Sequence, residues 1–339
     1  MTDYTAQHPL RILVSQAAMS ELEFKLKSLS NLHYQLFPSD QISPGEMFDV
    51  ALISRDVTSL STKQKILPST QKFYDLLLGS TDLRWVQIHS AGADRQIYLD
   101  LMQRGVAISG SSGVNAQVVT QTAIAGVLML ARHFPQMLEA QRHHRWESLI
   151  NYPLPPDLVG QTAIVVGRGP IGNGIAQVLT LMGVSCIQIG FNPDSVGERL
   201  PDVEHRHISE LHSLLGLADW LILACPLTSD TRQLIDGAAI DLLPQSARIV
   251  NIARGEIICE DALIKALQSK RLAGAYLDVF ASEPLDTNSA LWNLENVIVT
   301  PHSAGHSAGN ESRVLDLFVE NVTLLSQGKS LKNVIKIST

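Results

Sequence analysis

Gly167-Arg168-Gly169-Pro170-Ile171-Gly172 is a G-x-G-x-x-G turn between the apolar run Thr162–Val166 and a helical pattern reaching Met182. In that setting the first glycine allows a tight turn. The second lets the backbone approach a pyrophosphate, and the third lets the helix pack close to the strand. The helix start adds free N–H groups and a positive dipole end. The chemistry implied is dinucleotide binding. An acid at the tip of the next strand would take the ribose hydroxyls and select NAD. Here that strand runs out as Ile189-Gly190-Phe191-Asn192-Pro193-Asp194, with no acid at its tip. Asp194 lies beyond a proline. If it does not turn back, nothing repels a 2′-phosphate, and Asn192, Arg168 and Arg199 can assist one. The expected cofactor is therefore NAD(P), with a lean to NADP.

Other chemistry-bearing residues point elsewhere less strongly. His306 lies four residues past His302, but no cysteine or carboxylate cluster accompanies the pair, so no metal site is expected and His306 reads as a loop residue. Cys186, Cys225 and Cys259 are an odd number without a C-x-x-C pair, which fits a reducing compartment and small buried thiols. His143-His144 beside Arg142, Arg145 and Trp146 reads as a basic helix end on a solvated or subunit-facing surface.

These residues need elements to position them. Strand patterns at 10–14, 49–53, 85–88 and 106–109 alternate with helical patterns, as expected of one small parallel sheet. A long helical pattern follows over 116–146, broken by the prolines at 153, 155 and 156. A second series places strands at 162–166, 185–189, 220–224, 248–252, 274–277 and 297–299, and a last helix over 310–327. The expected fold is α/β, with two Rossmann-like domains of doubly wound parallel sheet and an active site in the cleft between them. Residues 1–115 with 308–339 would form a flavodoxin-like substrate domain, and 116–307 the NAD(P)-binding domain.

Composition bounds the function classes. The chain has 339 residues, 45% of them hydrophobic and 17% charged, which suits two ordinary globular domains and excludes wholesale disorder. A net charge of −7 without a basic run argues against nucleic-acid binding. The apolar run 123–131 is about half a membrane span. With no basic-then-apolar leader pattern, a cytoplasmic location is expected, with no membrane partner.

Further segments appear in a recognisable order. They are Ala218-Asp219-Trp220 leading to Cys225-Pro226-Leu227-Thr228, then Asn251-Ile252-Ala253-Arg254-Gly255, Leu277-Asp278-Val279-Phe280-Ala281-Ser282-Glu283-Pro284-Leu285, and Thr300-Pro301-His302-Ser303-Ala304-Gly305. With the glycine turn, this set resembles the D-isomer-specific 2-hydroxyacid dehydrogenase family, most strongly over 160–305. The resemblance implies a catalytic Arg254, Glu283 and His302. In that scheme His302 exchanges a proton with the carbonyl oxygen, Glu283 holds the imidazole, and Arg254 offers a planar fork to a carboxylate. It also implies cofactor contacts from Cys225, Pro226, Thr228, Thr231, Ala253 and Asp278, the last either on the carboxamide or capping a neighbouring helix. Ala91, Gly92 and Ala93, within Ser90-Ala91-Gly92-Ala93-Asp94, resemble the family's carboxylate-binding loop. Arg55 sits where the family often has a substrate-side basic residue, and reads equally as a surface pair. Gln121 stands where the family often has an acid.

The function implied is NAD(P)H-dependent reduction of a small 2-keto acid such as glyoxylate or hydroxypyruvate to the D-2-hydroxy acid, by a homodimer. Formate dehydrogenases pair the histidine with Gln, where this chain has Glu283. The rival from another class is a dinucleotide-sensing corepressor-like protein on the same fold.

Overall fold

The computed structural model describes residues 4–5, 7–30, 32–43, 45–62, 65–93, 95–191 and 200–335. Asp94, Asn192, Asp194 and Arg199 lie outside the described residues. The chain divides into two compact units, Met1–Asn115 with Ser307–Thr339, and Ala116–His306.

The first unit opens with β1 (Leu10–Val14), α1 (Gln16–Leu26), β2 (Tyr34–Pro38), β3 (Val50–Ile53), α2 (Arg55–Thr58), α3 (Pro68–Gly79), β4 (Trp85–Ile88), α4 (Gln96–Gln103) and β5 (Ala107–Ser109). All strand pairs are parallel, in the order β2-β1-β3-β4-β5. This is the flavodoxin-like order. Strand alternation divides the core. Leu13, Ala51, Ile53, Val86 and Ile88 face α3 and α4, whereas Ile12, Val14, Val50, Leu52 and Trp85 face α1. Ser15 caps α1 by accepting the Ala18 N–H at 3.2 Å.

The second unit begins with α5 (Ala116–Ala131) and α6 (Phe134–Arg142). The continuous helix expected over 116–146 is thus two helices. His133 takes a left-handed backbone (φ 55°), and Pro135 in the first turn of α6 has no N–H to bond back across the break. There follow β6 (Thr162–Val166), α7 (Pro170–Leu181), β7 (Ser185–Gly190), β8 (Glu204–His207), α8 (Leu211–Leu214), β9 (Trp220–Leu223), α9 (Gly237–Leu242), β10 (Arg248–Asn251), α10 (Glu260–Gln268), β11 (Gly274–Leu277) and β12 (Val297–Val299). The sheet is parallel throughout, in the order β12-β11-β10-β9-β6-β7-β8. This doubly wound order reverses direction between β6 and β9, where ligands bind beyond the strands' carboxyl ends. Helices α5 and α7 cover one face, over Ala163, Val165, Trp220, Ile222 and Tyr276. Gly126 lets α5 press onto the sheet, since a β-carbon there would lie 2.5 Å from the Tyr276 ring.

The chain then returns to the first unit as α11 (Asn310–Ser326), which lays Val314, Leu315, Phe318 and Val322 beside α1. Phe318 stacks on Trp85 with ring centroids 5.1 Å apart. Two strands were not anticipated. Both β2 and β8 are sheet edges made strands by their pairing to β1 and β7; β8 has no apolar residue, whereas β2 packs Tyr34, Leu36 and Phe37 against the core.

Candidate active site

The glycine turn after β6 is shaped by contacts that only glycine tolerates. Gly167 has φ 126°, and a β-carbon there would lie 2.4 Å from the Ala224 carbonyl oxygen. A β-carbon on Gly172 would lie 2.1 Å from the Gly167 carbonyl oxygen, so α7 starts directly against the turn. The β-carbon position of Gly169 meets nothing within 4 Å, which leaves its backbone open to a ligand. Gln188, buried within β7, donates to Asn173 Oδ1 at 2.9 Å and to the Gly167 carbonyl at 3.4 Å, bracing the turn from beneath. Its one sequence signal is a polar residue inside an apolar strand.

Beside the turn lies a cavity of about 290 Å³, lined by residues 166–169, the end of β7, Ile208, Cys225 and Pro226. Free N–H groups at the start of α7 and an apolar floor fit a dinucleotide's phosphates and adenosine. Arg168 lies along Gly190 at the tip of β7. A β-carbon on residue 190 would come 2.7 Å from Arg168 Cδ. Burial pushes the Cys225 thiol up to about 12, so this residue serves as apolar lining and not as a nucleophile.

Thr231 departs from its expected role as a cofactor contact. It is fully buried, its hydroxyl donates to the Pro226 carbonyl at 2.7 Å, and it accepts the Thr228 N–H at 2.7 Å. The side chain shapes the loop after β9. The side chain of Ile171, partly buried, packs against the core that α5 and α7 cover.

The loops after β10, β11 and β12 bring three ionisable residues together. Asn251, at the end of β10, donates to the Arg254 carbonyl at 3.0 Å and accepts the Ala253 N–H at 3.1 Å. Gly255 then lies flat on the next loop, because a β-carbon would fall 1.9 Å from the Phe280 carbonyl carbon. Arg254 NH1 donates to the Ala253 carbonyl at 2.7 Å, and its charge acts on Glu283. Glu283 Oε1 accepts the Phe280 N–H at 3.2 Å, and Oε2 lies 2.7 Å from His302 Nδ1. Burial pushes the Glu283 carboxyl up. The bond and charge of His302, the Phe280 N–H and the charge of Arg254 outweigh burial and leave it below the usual carboxylate range.

His302 sits in a left-handed backbone (φ 50°) that a second anchor holds. Its N–H donates to the Asp278 carbonyl at 2.8 Å. The buried Asp278 carboxylate accepts Thr300 Oγ1 at 2.6 Å and the N–H groups of Ser303 at 2.8 Å and Ala304 at 2.9 Å. Thr300 is bonded in turn to the Tyr276 hydroxyl at 2.8 Å. One of the two readings for Asp278, a helix cap, is not met among the described residues: both carboxylate oxygens are bonded to the histidine loop instead. Asn251, Gly255 and Thr300 position the site; they stand in the segments that carry the resemblance, which assigns them no role. Asn251 and Gly255 act through the loop after β10 and Thr300 through the loop after β12.

The remaining expected substrate contacts lie in the first unit. Ala91, Gly92 and Ala93 follow β4, where Ser90 Oγ donates to the Gly92 carbonyl at 2.9 Å. A β-carbon on Gly110 would lie 2.7 Å from the Ala91 carbonyl oxygen, so the loops after β4 and β5 pack closely. Arg55 is the first residue of α2. Burial lowers its pKa, while the charge of Glu311 raises it. Among the described residues no group of three His, Cys, Asp or Glu is placed to hold a metal, His306 included.

The family model for D-isomer specific 2-hydroxyacid dehydrogenase, NAD binding domain, matches residues 124–304. Glyoxylate/hydroxypyruvate reductase A of Arabidopsis thaliana is 31% identical over 250 residues, 74% of this chain and 77% of that protein. Glyoxylate reductase of Pyrococcus furiosus is 31% identical over 252 residues, 73% of this chain and 74% of that one. Among solved structures, a D-isomer specific 2-hydroxyacid dehydrogenase from Xanthobacter autotrophicus, in complex with NADPH and MES, superposes with a TM-score of 0.75. It is 25% identical, with 97% of this chain and 98% of that chain covered. No helix among the described residues is long and apolar enough to cross a membrane. The match over the second unit, and relatives at this identity across most of the chain, place the protein in the D-isomer specific 2-hydroxyacid dehydrogenase family of oxidoreductases.

Proposed function

We propose that this protein reduces a small 2-keto acid, of the size of glyoxylate or hydroxypyruvate, to the D-2-hydroxy acid with NADPH. The observation that carries the reading is the 2.7 Å contact of Glu283 Oε2 with His302 Nδ1, beside the charge of Arg254. When bound, the reduced nicotinamide supplies a hydride to the carbonyl carbon. Protonated His302 delivers a proton from Nε2 to the carbonyl oxygen, because Nδ1 is engaged by Glu283. Glu283 stays ionised and holds the imidazole in orientation through that bond. Arg254 binds the substrate carboxylate and polarises the carbonyl. Ala91, Gly92, Ala93 and Arg55 of the first unit contribute substrate contacts, the small residues through backbone N–H groups.

Two observations favour NADPH. Arg168 lines the cavity at the tip of β7, where no carboxylate is among the described lining residues, Asp194 lying outside them. Neighbouring structures, the Xanthobacter enzyme among them, were solved with NADPH or NADP. The second unit exposes Trp146 at 99%, Leu181 at 82% and Ile150 at 77%, together with Leu154 and Val159. That apolar surface suits self-association, and we propose a homodimer.

The test is loss of reduced-nicotinamide absorbance with a panel of 2-keto acids, run with NADH and with NADPH. Rapid loss with a small keto acid and NADPH supports the reading. No loss with any acid, despite measurable cofactor binding, overturns it. Sedimentation of the purified chain tests the dimer, and a monomer at micromolar concentration refutes that part.

A further inference from the structure

The chain crosses from the first unit to the second after Asn115 and returns at Ser307. On the first unit both crossings are bonded to one side chain. Arg313, in the first turn of α11, donates from Nε to the Val114 carbonyl at 3.0 Å. A terminal nitrogen donates to Ser307 Oγ at 2.8 Å and makes a longer 3.5 Å contact with Asn115 Oδ1. All of these partners lie in the first unit. The seat is close-fitting, since a β-carbon on Gly309 would lie 2.7 Å from Arg313 NH1. A guanidinium carries five donors in one plane, so it can serve acceptors on two separate segments at once, which a lysine ammonium on a flexible stem does less well.

We propose that Arg313 is a positioning residue that pins the two crossings together, so that they flex as a pair. Inter-unit motion in such a chain is absorbed by a few residues at the crossings. Arg313 fixes where those residues begin. It acts on any reaction only through the crossings, and neither it nor its partners belong to the residues assigned to cofactor or substrate. The inference holds whichever keto acid and whichever dinucleotide the protein uses.

Hydrogen exchange by mass spectrometry on the full chain, without cofactor or substrate, tests it directly. Arg313→Gln removes the pin. Gly309→Ala keeps the arginine but pushes its guanidinium off the seat, and so guards against a misfolded first variant. Both should speed exchange about tenfold at residues 113–118 and at 304–309, while β1 and β3 keep wild-type protection. Arg313→Lys should fall between these variants and the wild type. Faster exchange at one crossing alone, or at neither, overturns the proposal. So does an equal rise across α11 and β1, which would make Arg313 an ordinary support of its helix. Because no turnover is measured, failure here is distinguishable from failure of the keto-acid reading.

Discussion

Glu283 Oε2 reaches His302 Nδ1 at 2.7 Å from a separate loop, and the histidine meets it from a left-handed backbone anchored by Asp278. The proton-handling pair is therefore assembled by the loops after β11 and β12 together, and each half has its own support.

His302→Gln should lower kcat by roughly 10²–10⁴-fold while cofactor affinity stays near the wild-type value. Glu283→Gln should cost less, about 10²-fold in kcat, because the imidazole remains but loses its charged partner. Steady-state kinetics with fluorescence titration of the cofactor separates the two parameters. Retained turnover in His302→Gln would remove it as proton donor.

Asp278→Asn presents an amide where two backbone N–H groups and the Thr300 hydroxyl now donate. The mismatch should displace the histidine loop and lower kcat about 10- to 100-fold, with cofactor Kd changing by less than about threefold. Thr300→Val removes one of these bonds and should show a smaller loss of the same kind. A large rise in cofactor Kd with unchanged kcat would point to direct contact between Asp278 and the nicotinamide.

Arg168→Ala should weaken NADPH roughly 10- to 100-fold and leave NADH nearly unaffected, the loss expected for one charge-assisted contact to a phosphate. Isothermal titration with both dinucleotides checks this. Equal weakening of the two would move the 2′-phosphate contact away from Arg168.

Acid should loosen the first unit through Asp49. Burial pushes its carboxyl up, but bonds from Arg11 and the charges of Arg11 and Arg84 outweigh burial and leave it below the usual carboxylate range. A carboxyl lowered on folding stabilises above its unfolded pKa, and that contribution is lost as pH falls through the folded value. Asp49→Asn should therefore cost about 2–4 kcal/mol near neutrality, and the gap to wild type should close as pH falls through the carboxylate range. Urea melts at a series of pH values measure it. A gap that is constant down to strongly acid pH would count against this role.

The glycine turn was legible because its requirements are local. Gly167 answers a turn with φ 126° and Gly172 the neighbouring Gly167 carbonyl, while Gly169 leaves its backbone open. The order of apolar strands was legible for the same reason, since burial on both sheet faces leaves continuous runs such as Thr162–Val166. The edge strands β2 and β8 were not, because they owe their strand form to a neighbour's hydrogen bonds. Nor was the break at His133, where the helical pattern of apolar residues continues across a left-handed residue.

The sequence by itself determined which side chains can do chemistry and the order of the elements that bear them. Both follow from side-chain type and short-range periodicity. The tertiary structure decided which partner each takes. Asp278 holds the histidine loop, Thr231 turns inward, and Asn251 sets Arg254, because parallel strands gather loops from distant parts of the chain at one end of the sheet. Those pairings depend on sheet order and on clearances of two or three ångströms between backbones, which residue spacing along the chain does not encode.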